Sequence, residues 1–156
     1  MGCGRGVGVE VLVDRLRAGR VTAFDLDPAM VEKAHRRLAG RPAVSVSVGD
    51  ACKIEQPTAG VDAVVEFGVI HHVPDWRRAL AEIARVLRSG GLLLFEDIPR
   101  HTLETWLMRT FTVHPRQDRF EAEEFTAELA RHGMQAASPL QSRFGGHLFL
   151  GAARKA

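Results

Sequence analysis

Tyrosine is absent from this chain of 156 residues, cysteine occurs only twice, and aromatic residues make up 6% of it. Cys3 and Cys52 are not in a metal-ligand spacing and form no CxxC pair, so neither a disulfide framework nor a thiolate metal site is expected. Long hydrophobic runs are missing as well. Stretches such as Leu92-Leu93-Leu94-Phe95 are strand-sized, far below what crosses a bilayer. Nor does one sign of charge dominate: 21 basic residues face 19 acidic ones, spread along the chain for a net charge of +2. That balance argues against an electrostatic footprint for nucleic acid or anionic lipid. No charged-then-apolar leader precedes the glycine-rich start, so the expected location is cytoplasmic.

What remains is an ordinary globular composition, 46% hydrophobic and 26% charged. A chain of this size buries a core without covalent staples, and residues 1–156 read as a single domain.

Helical and strand periods alternate along it. Val9, Leu12, Val13 and Leu16 mark one face of a helix ending near Gly19, and Val21 to Phe24 is a buried strand closing at Asp25. Asp27-Pro28 supplies a cap and a first-turn proline for a helix with the stripe Met30, Val31, Ala34 and Leu38. Val44, Val46 and Val48 alternate with serine into Gly49-Asp50, and 51–60 is a loop or a single helical turn. Val61 to Phe67 is the next strand. Asp75 caps a helix with Trp76, Leu80, Ile83, Ala84 and Leu87 on one side, closed by Gly90-Gly91. Leu92 to Glu96 is the most apolar strand. Residues 101–112 read as helical, 113–119 as a polar loop containing His114, and 120–132 as a helix. Strands at 135–144 and 147–153 follow, joined by a tight Gly145-Gly146 hairpin. This pattern predicts an α/β fold: a mostly parallel sheet, helices on both faces and an antiparallel hairpin at the end. Ligands of such sheets sit beyond the carboxyl ends of the strands. Asp25, Asp50, Glu66 and the pair Glu96-Asp97 all fall there.

Gly2-Cys3-Gly4-Arg5-Gly6 is the most informative segment. The dinucleotide fingerprint needs a third glycine where Val7 or Val9 stands, and a phosphate-cradling loop needs a Gly-Lys pair that does not occur. Gly-x-Gly-x-Gly followed by helix, strand and acid suits an adenosyl ligand that lacks phosphates. Asp25 is placed to accept both hydroxyls of a ribose; the alternative is a turn or cap acid.

With Gly2–Gly6, the chain shares Val21–Met30, Gly49-Asp50-Ala51, Val61–Val65, His71–Trp76 and Arg85–Gly91, in order, with one family. It resembles the class I S-adenosylmethionine-dependent methyltransferases of the small-molecule "methyltransferase domain 11" kind, with a Rossmann-like sheet. The resemblance implies that Gly2, Cys3 and Gly4 line the methionine part of S-adenosyl-L-methionine. It places Asp25 on the ribose, Leu26 against the adenine, and Asp50 with the Ala51 amide on the adenine edge. Glu66 and Phe67 approach the cofactor from the other side. For Asp50 the competing reading is an Asx turn.

Methyl transfer from a sulfonium to oxygen, nitrogen or carbon is an in-line displacement, so the protein mainly aligns the acceptor. His71 is the candidate base, while the sequence favours a packing or capping role for His71 and still more for His72. Glu96 and Asp97 are candidates to orient a polar substrate or act as a base. Trp106, Leu107, Met108 and Phe111 form an apolar stripe whose expected use is core packing, the alternative being a cover over a substrate pocket. The expected partner is a small-molecule substrate. Nucleic acid is disfavoured: neither cysteine follows proline as a pyrimidine-methylating nucleophile would, and without tyrosine there is no Pro-Pro-Tyr motif. In the resembled family an apolar strand and an acid precede the glycine loop. Here that acid would fall before Met1, so the sequence implies an N-terminally incomplete domain without its first central strand and upstream helices. The rival reading is a shortened, inactive relative that binds cofactor or a partner.

Overall fold

Alternating valine and serine build β2 (Val44–Val48), which lies parallel to β1 (Val21–Asp25) in a register running from Val21↔Val44 to Asp25↔Val48. The computed structural model describes residues 1–111, 115 and 118–156. The chain falls into two compact units, Met1–Lys53 and Ile54–Ala156.

In the first unit, α1 (Val7–Asp14) precedes β1, and α2 (Pro28–Arg37) connects β1 to β2. Asp27 caps α2 by accepting the Ala29 amide at 2.8 Å, and Pro28 takes the position where no amide partner is lost. Val9, Val21, Ala23, Ala34 and Leu38 form the core, with Leu12, Val13, Val44 and Val46 packed against it. The helix stops at Asp14 instead of near Gly19, and Leu16 lies outside it, exposed. Arg17 with positive φ breaks the helical path there.

The second unit is a mixed sheet in the order β3 (Val61–Phe67), β4 (Leu87–Asp97), β7 (Leu148–Lys155), with β5 (Met134–Ala136) and β6 (Gln141–Arg143) in succession along the far edge of β7. Only β3 and β4 run parallel; β7 is antiparallel to β4, β5 and β6. Among the described residues, β1 and β3 each have a strand neighbour on one side only. Strands and helices alternate in both units, an α/β architecture whose larger sheet is mixed.

α3 (Trp76–Val86) and α6 (Ala122–Arg131) supply the rings that meet the sheet. Trp76 and Phe120 stand 4.9 Å apart, Phe95 and Phe125 5.1 Å, and Phe125 and Phe149 5.4 Å edge-on. Half of the chain's ten aromatic side chains are in this cluster, which anchors the unit. Gly151 pairs with Phe95, and a Cβ on it would come within 2.7 Å of the Phe95 ring, so the ring lies across that glycine.

Three expected elements differ. α3 ends at Val86 and Leu87 already begins β4, so Gly90-Gly91 interrupts a strand and does not cap a helix. The pairing with β3 jumps there from Val61↔Leu87 to Ala63↔Leu92, and Gly91 packs on backbone that leaves no room for a Cβ. The helix expected over 101–112 is two short ones, α4 (Arg100–Leu103) and α5 (Trp106–Phe111), because Thr105 Oγ1 accepts the Met108 amide and starts a new helix. The strand expected at 135–144 divides around Pro139: eight residues from Met134 to Gln141 oppose six from Lys155 to Leu150. The β6–β7 link spans 144–147 and includes Phe144 at positive φ, so it is longer than a two-residue turn. Among the described residues, no helix is long and apolar enough to cross a membrane.

Candidate active site

The glycine loop is sewn onto the end of β1. The Cys3 amide donates to the Phe24 carbonyl at 2.9 Å, and the Gly4 amide donates to Asp25 Oδ2 at 2.8 Å. Asp25 Oδ1 accepts the Asp27 amide at 3.0 Å. Asp25 is thus both a turn acid and a loop anchor, and each oxygen keeps a lone pair for a further donor. Gly6 caps α1 with φ +85°, and a Cβ there would meet Leu38 Cδ1 at 3.0 Å. Gly4, with φ +50°, has nothing within 4 Å of where a Cβ would stand, which leaves its backbone open to a ligand. The Cys3 thiol is pushed above its ordinary pKa, first by burial and then by the charge of Asp25, so it stays protonated.

At the end of β2, Asp50 Oδ1 accepts the Cys52 amide at 2.8 Å, an Asx turn that leaves Oδ2 available, and Asp50 is exposed. Ala51 is buried and Leu26 exposed. Gly2, Cys3, Gly4, Asp25, Leu26, Asp50 and Ala51 all belong to Met1–Lys53.

The remaining candidates lie in the second unit. Glu66, 1% exposed, ends β3, and its Oε2 accepts the Val69 amide at 3.1 Å. Phe67 beside it is exposed. A 3-10 turn at Ile70–His72 follows, and it buries His71. His71 Nδ1 is hydrogen-bonded to Asp97 Oδ1, the His71 amide donates to Asp97 Oδ2 at 3.2 Å, and the Ile98 amide adds a third donor to Oδ1 at 2.7 Å. Asp97 itself is wholly buried. Burial, and then the charge of Asp97, push the Glu66 carboxyl well above the usual carboxylate range. Ile70, His71, Val73, Ile98, Leu103, Asp118, Arg119 and Phe120 line a crevice too narrow to admit a water molecule.

Residues 1–95 match the family described as "Methyltransferase domain" (Methyltransf_11). The chain belongs to the methyltransferase-domain family. It is 36% identical over 140 residues to a "Probable S-adenosylmethionine-dependent methyltransferase" of Mycolicibacterium smegmatis, an alignment covering 89% of this chain and 52% of that protein. It is 29% identical over 161 residues to the phthiotriol/phenolphthiotriol dimycocerosates methyltransferase of Mycobacterium leprae, covering 96% and 58%. The chain therefore spans about half the length of curated relatives it matches. The geranyl diphosphate C-methyltransferase of Streptomyces coelicolor, crystallised with S-adenosyl-L-homocysteine, shares the fold at TM-score 0.78 and 16% identity, over 99% of this chain and 69% of that one.

The cofactor of this methyltransferase family is S-adenosyl-L-methionine. The first unit suits it: an open glycine backbone, two half-used carboxylates at strand ends, and an exposed leucine next to Asp25. His71 is buried in its turn and bonded through its ring to Asp97, a pairing across 26 positions that no local spacing reveals. One sequence expectation is overturned. Trp106 and Leu107 are not core residues; Trp106 is 75% exposed, because α5 starts afresh at Thr105 and turns that face outward. His114 lies outside the described residues, as does the side chain of Phe111.

Proposed function

We propose that the chain carries out S-adenosylmethionine-dependent methylation of a hydroxyl group on a small lipophilic molecule, with His71 as the base. S-adenosyl-L-methionine, when bound, supplies an activated methyl group for in-line transfer. Gly2, Cys3 and Gly4 would pass their backbone along its methionine part. Asp25 would accept from the ribose hydroxyls and Leu26 lie against the adenine, with Asp50 and the Ala51 amide on the adenine edge.

The observation that carries the reading is the buried His71–Asp97 pair. A carboxylate only accepts hydrogen bonds, so an ionised Asp97 keeps the proton on Nδ1 and makes Nε2 the accepting nitrogen. A base is useful to an alcohol or phenol, whose oxygen must lose a proton to become a good nucleophile, and superfluous for a carboxylate. The relative named for phthiotriol and phenolphthiotriol substrates supports a lipophilic acceptor that bears a hydroxyl.

The test is S-adenosyl-L-homocysteine release with three probes: a long-chain alcohol, an alkylphenol and a long-chain fatty acid. Turnover with the hydroxyl compounds that His71→Ala abolishes is the expected result. Turnover with the fatty acid alone, unaffected by His71→Ala, overturns the reading.

A further inference from the structure

Glu66 is a buried carboxyl whose position the base reading leaves unexplained. β3 and β4 run in the register Glu66↔Phe95, so these two side chains share a sheet face, and Asp97, two residues beyond Phe95, shares it too. Both carboxyls are shut off from water, at 1% and 0% exposure. Two carboxylates so placed resist ionising together. Their hydrogen bonds are unequal. Asp97 accepts from the His71 amide, the His71 ring and the Ile98 amide. Glu66 Oε2 accepts the Val69 amide and the Ile70 amide lies close enough to favour the charged form as well, while Oε1, equally buried, has no hydrogen-bond partner among the described residues. Three donors favour the charge on Asp97, and an oxygen without a donor is the better seat for a proton.

We propose that Glu66 is a positioning residue for the base: the carboxyl pair carries one proton, held on Glu66, and this keeps Asp97 ionised and His71 in the tautomer whose Nε2 accepts. The proposal rests on the reading of His71 as base. Were the proton on Asp97, that carboxyl could donate to Nδ1, Nε2 would carry the hydrogen, and the imidazole could not take a proton from an acceptor. Within Ile54–Ala156, the titratable groups around this proton are Asp97 on β4 and His71 on the turn, with the His72 ring 4.2 Å from that of His71. Burial and the charge of Asp97 both push Glu66 toward the protonated form. In the transfer itself the acceptor's O–H proton passes to Nε2 while its oxygen gains the methyl group, whose former bonding pair stays with the departing sulfur; the Nδ1 proton remains on His71, donated to Asp97, and the Glu66 proton does not move.

The experiment uses the whole chain near neutral pH, and its isotope readouts are taken on the unmutated protein. Infrared spectroscopy on protein carrying ¹³C-carboxyl glutamate, or separately ¹³C-carboxyl aspartate, locates the protonated carboxyl. Nitrogen-15 spectra of labelled histidine report the His71 tautomer. Expected are a protonated-carboxyl band that shifts only with labelled glutamate, its loss in Glu66→Gln, and His71 protonated on Nδ1. A band that shifts with labelled aspartate, no protonated carboxyl at all, or His71 protonated on Nε2 overturns the proposal. Neither readout involves turnover. A glutamate-borne proton together with full hydroxyl methylation by His71→Ala would sink the base reading and leave the shared proton standing.

Discussion

Asp97 holds His71 twice, its Oδ2 taking the backbone amide at 3.2 Å and its Oδ1 the imidazole Nδ1. One carboxylate therefore fixes both the turn and the ring it carries. Replacing His71 by alanine is expected to lower kcat on a hydroxyl acceptor by about 10²- to 10⁴-fold, the usual worth of a general base. Asp97→Asn should lower it too, because the amide that replaces the carboxylate no longer holds the proton on Nδ1. Neither change should alter S-adenosyl-L-homocysteine affinity, which calorimetric titration checks.

Asp25 ties the glycine loop to β1 and is also the proposed ribose ligand. Losing a hydrogen bond to a charged group costs about 1.5–3 kcal/mol. Asp25→Ala should therefore weaken S-adenosyl-L-homocysteine binding by roughly 10- to 100-fold. Unchanged affinity in the same titration would count against the assignment.

Gly4 and Gly6 both have positive φ yet differ in surroundings. Alanine at either costs about 1–2 kcal/mol for the left-handed backbone. At Gly6 the new methyl also presses on Leu38, whereas at Gly4 it meets nothing. Gly6→Ala should be clearly the less stable of the two in urea denaturation. Equal midpoints would mean that Leu38 yields without cost.

Glu66 gives a signed pH dependence. Its pKa is raised in the folded state, by burial first and Asp97 second. Its contribution to stability is therefore fully present below glutamate's ordinary value of about 4.3, and is lost as pH rises toward the folded-state value. Through that window wild type should lose up to about 1.4 kcal/mol per pH unit relative to Glu66→Gln. Denaturation curves of both proteins from acid to mildly alkaline pH measure the difference.

Local signals carried much of this molecule. Asp27-Pro28 marked the start of α2 and valine–serine alternation marked β2; each depends on neighbours a few residues away. The glycine loop and Asp25, 21 positions from Gly4, pointed to an adenosyl ligand through the order of loop, helix, strand and acid. What escaped depends on distant partners. Nothing near His71 announces Asp97, and the Gly90-Gly91 pair looks like a helix cap until β3 lies against it. Thr105 is the exception: a threonine three residues before Met108 is a readable cap, and giving it weight would have divided the helix and turned Trp106 outward.

The glycine under the Phe95 ring has a consequence for how the sheet is assembled. Sliding β7 by one residue against β4 would bring Leu150 or Ala152 beneath that ring and turn Phe149 away from the aromatic cluster. Between a strand rich in leucine and one rich in alanine, many offsets bury similar amounts of apolar surface. The missing methyl at Gly151 selects one of them, acting as a keyway into which a single ring fits.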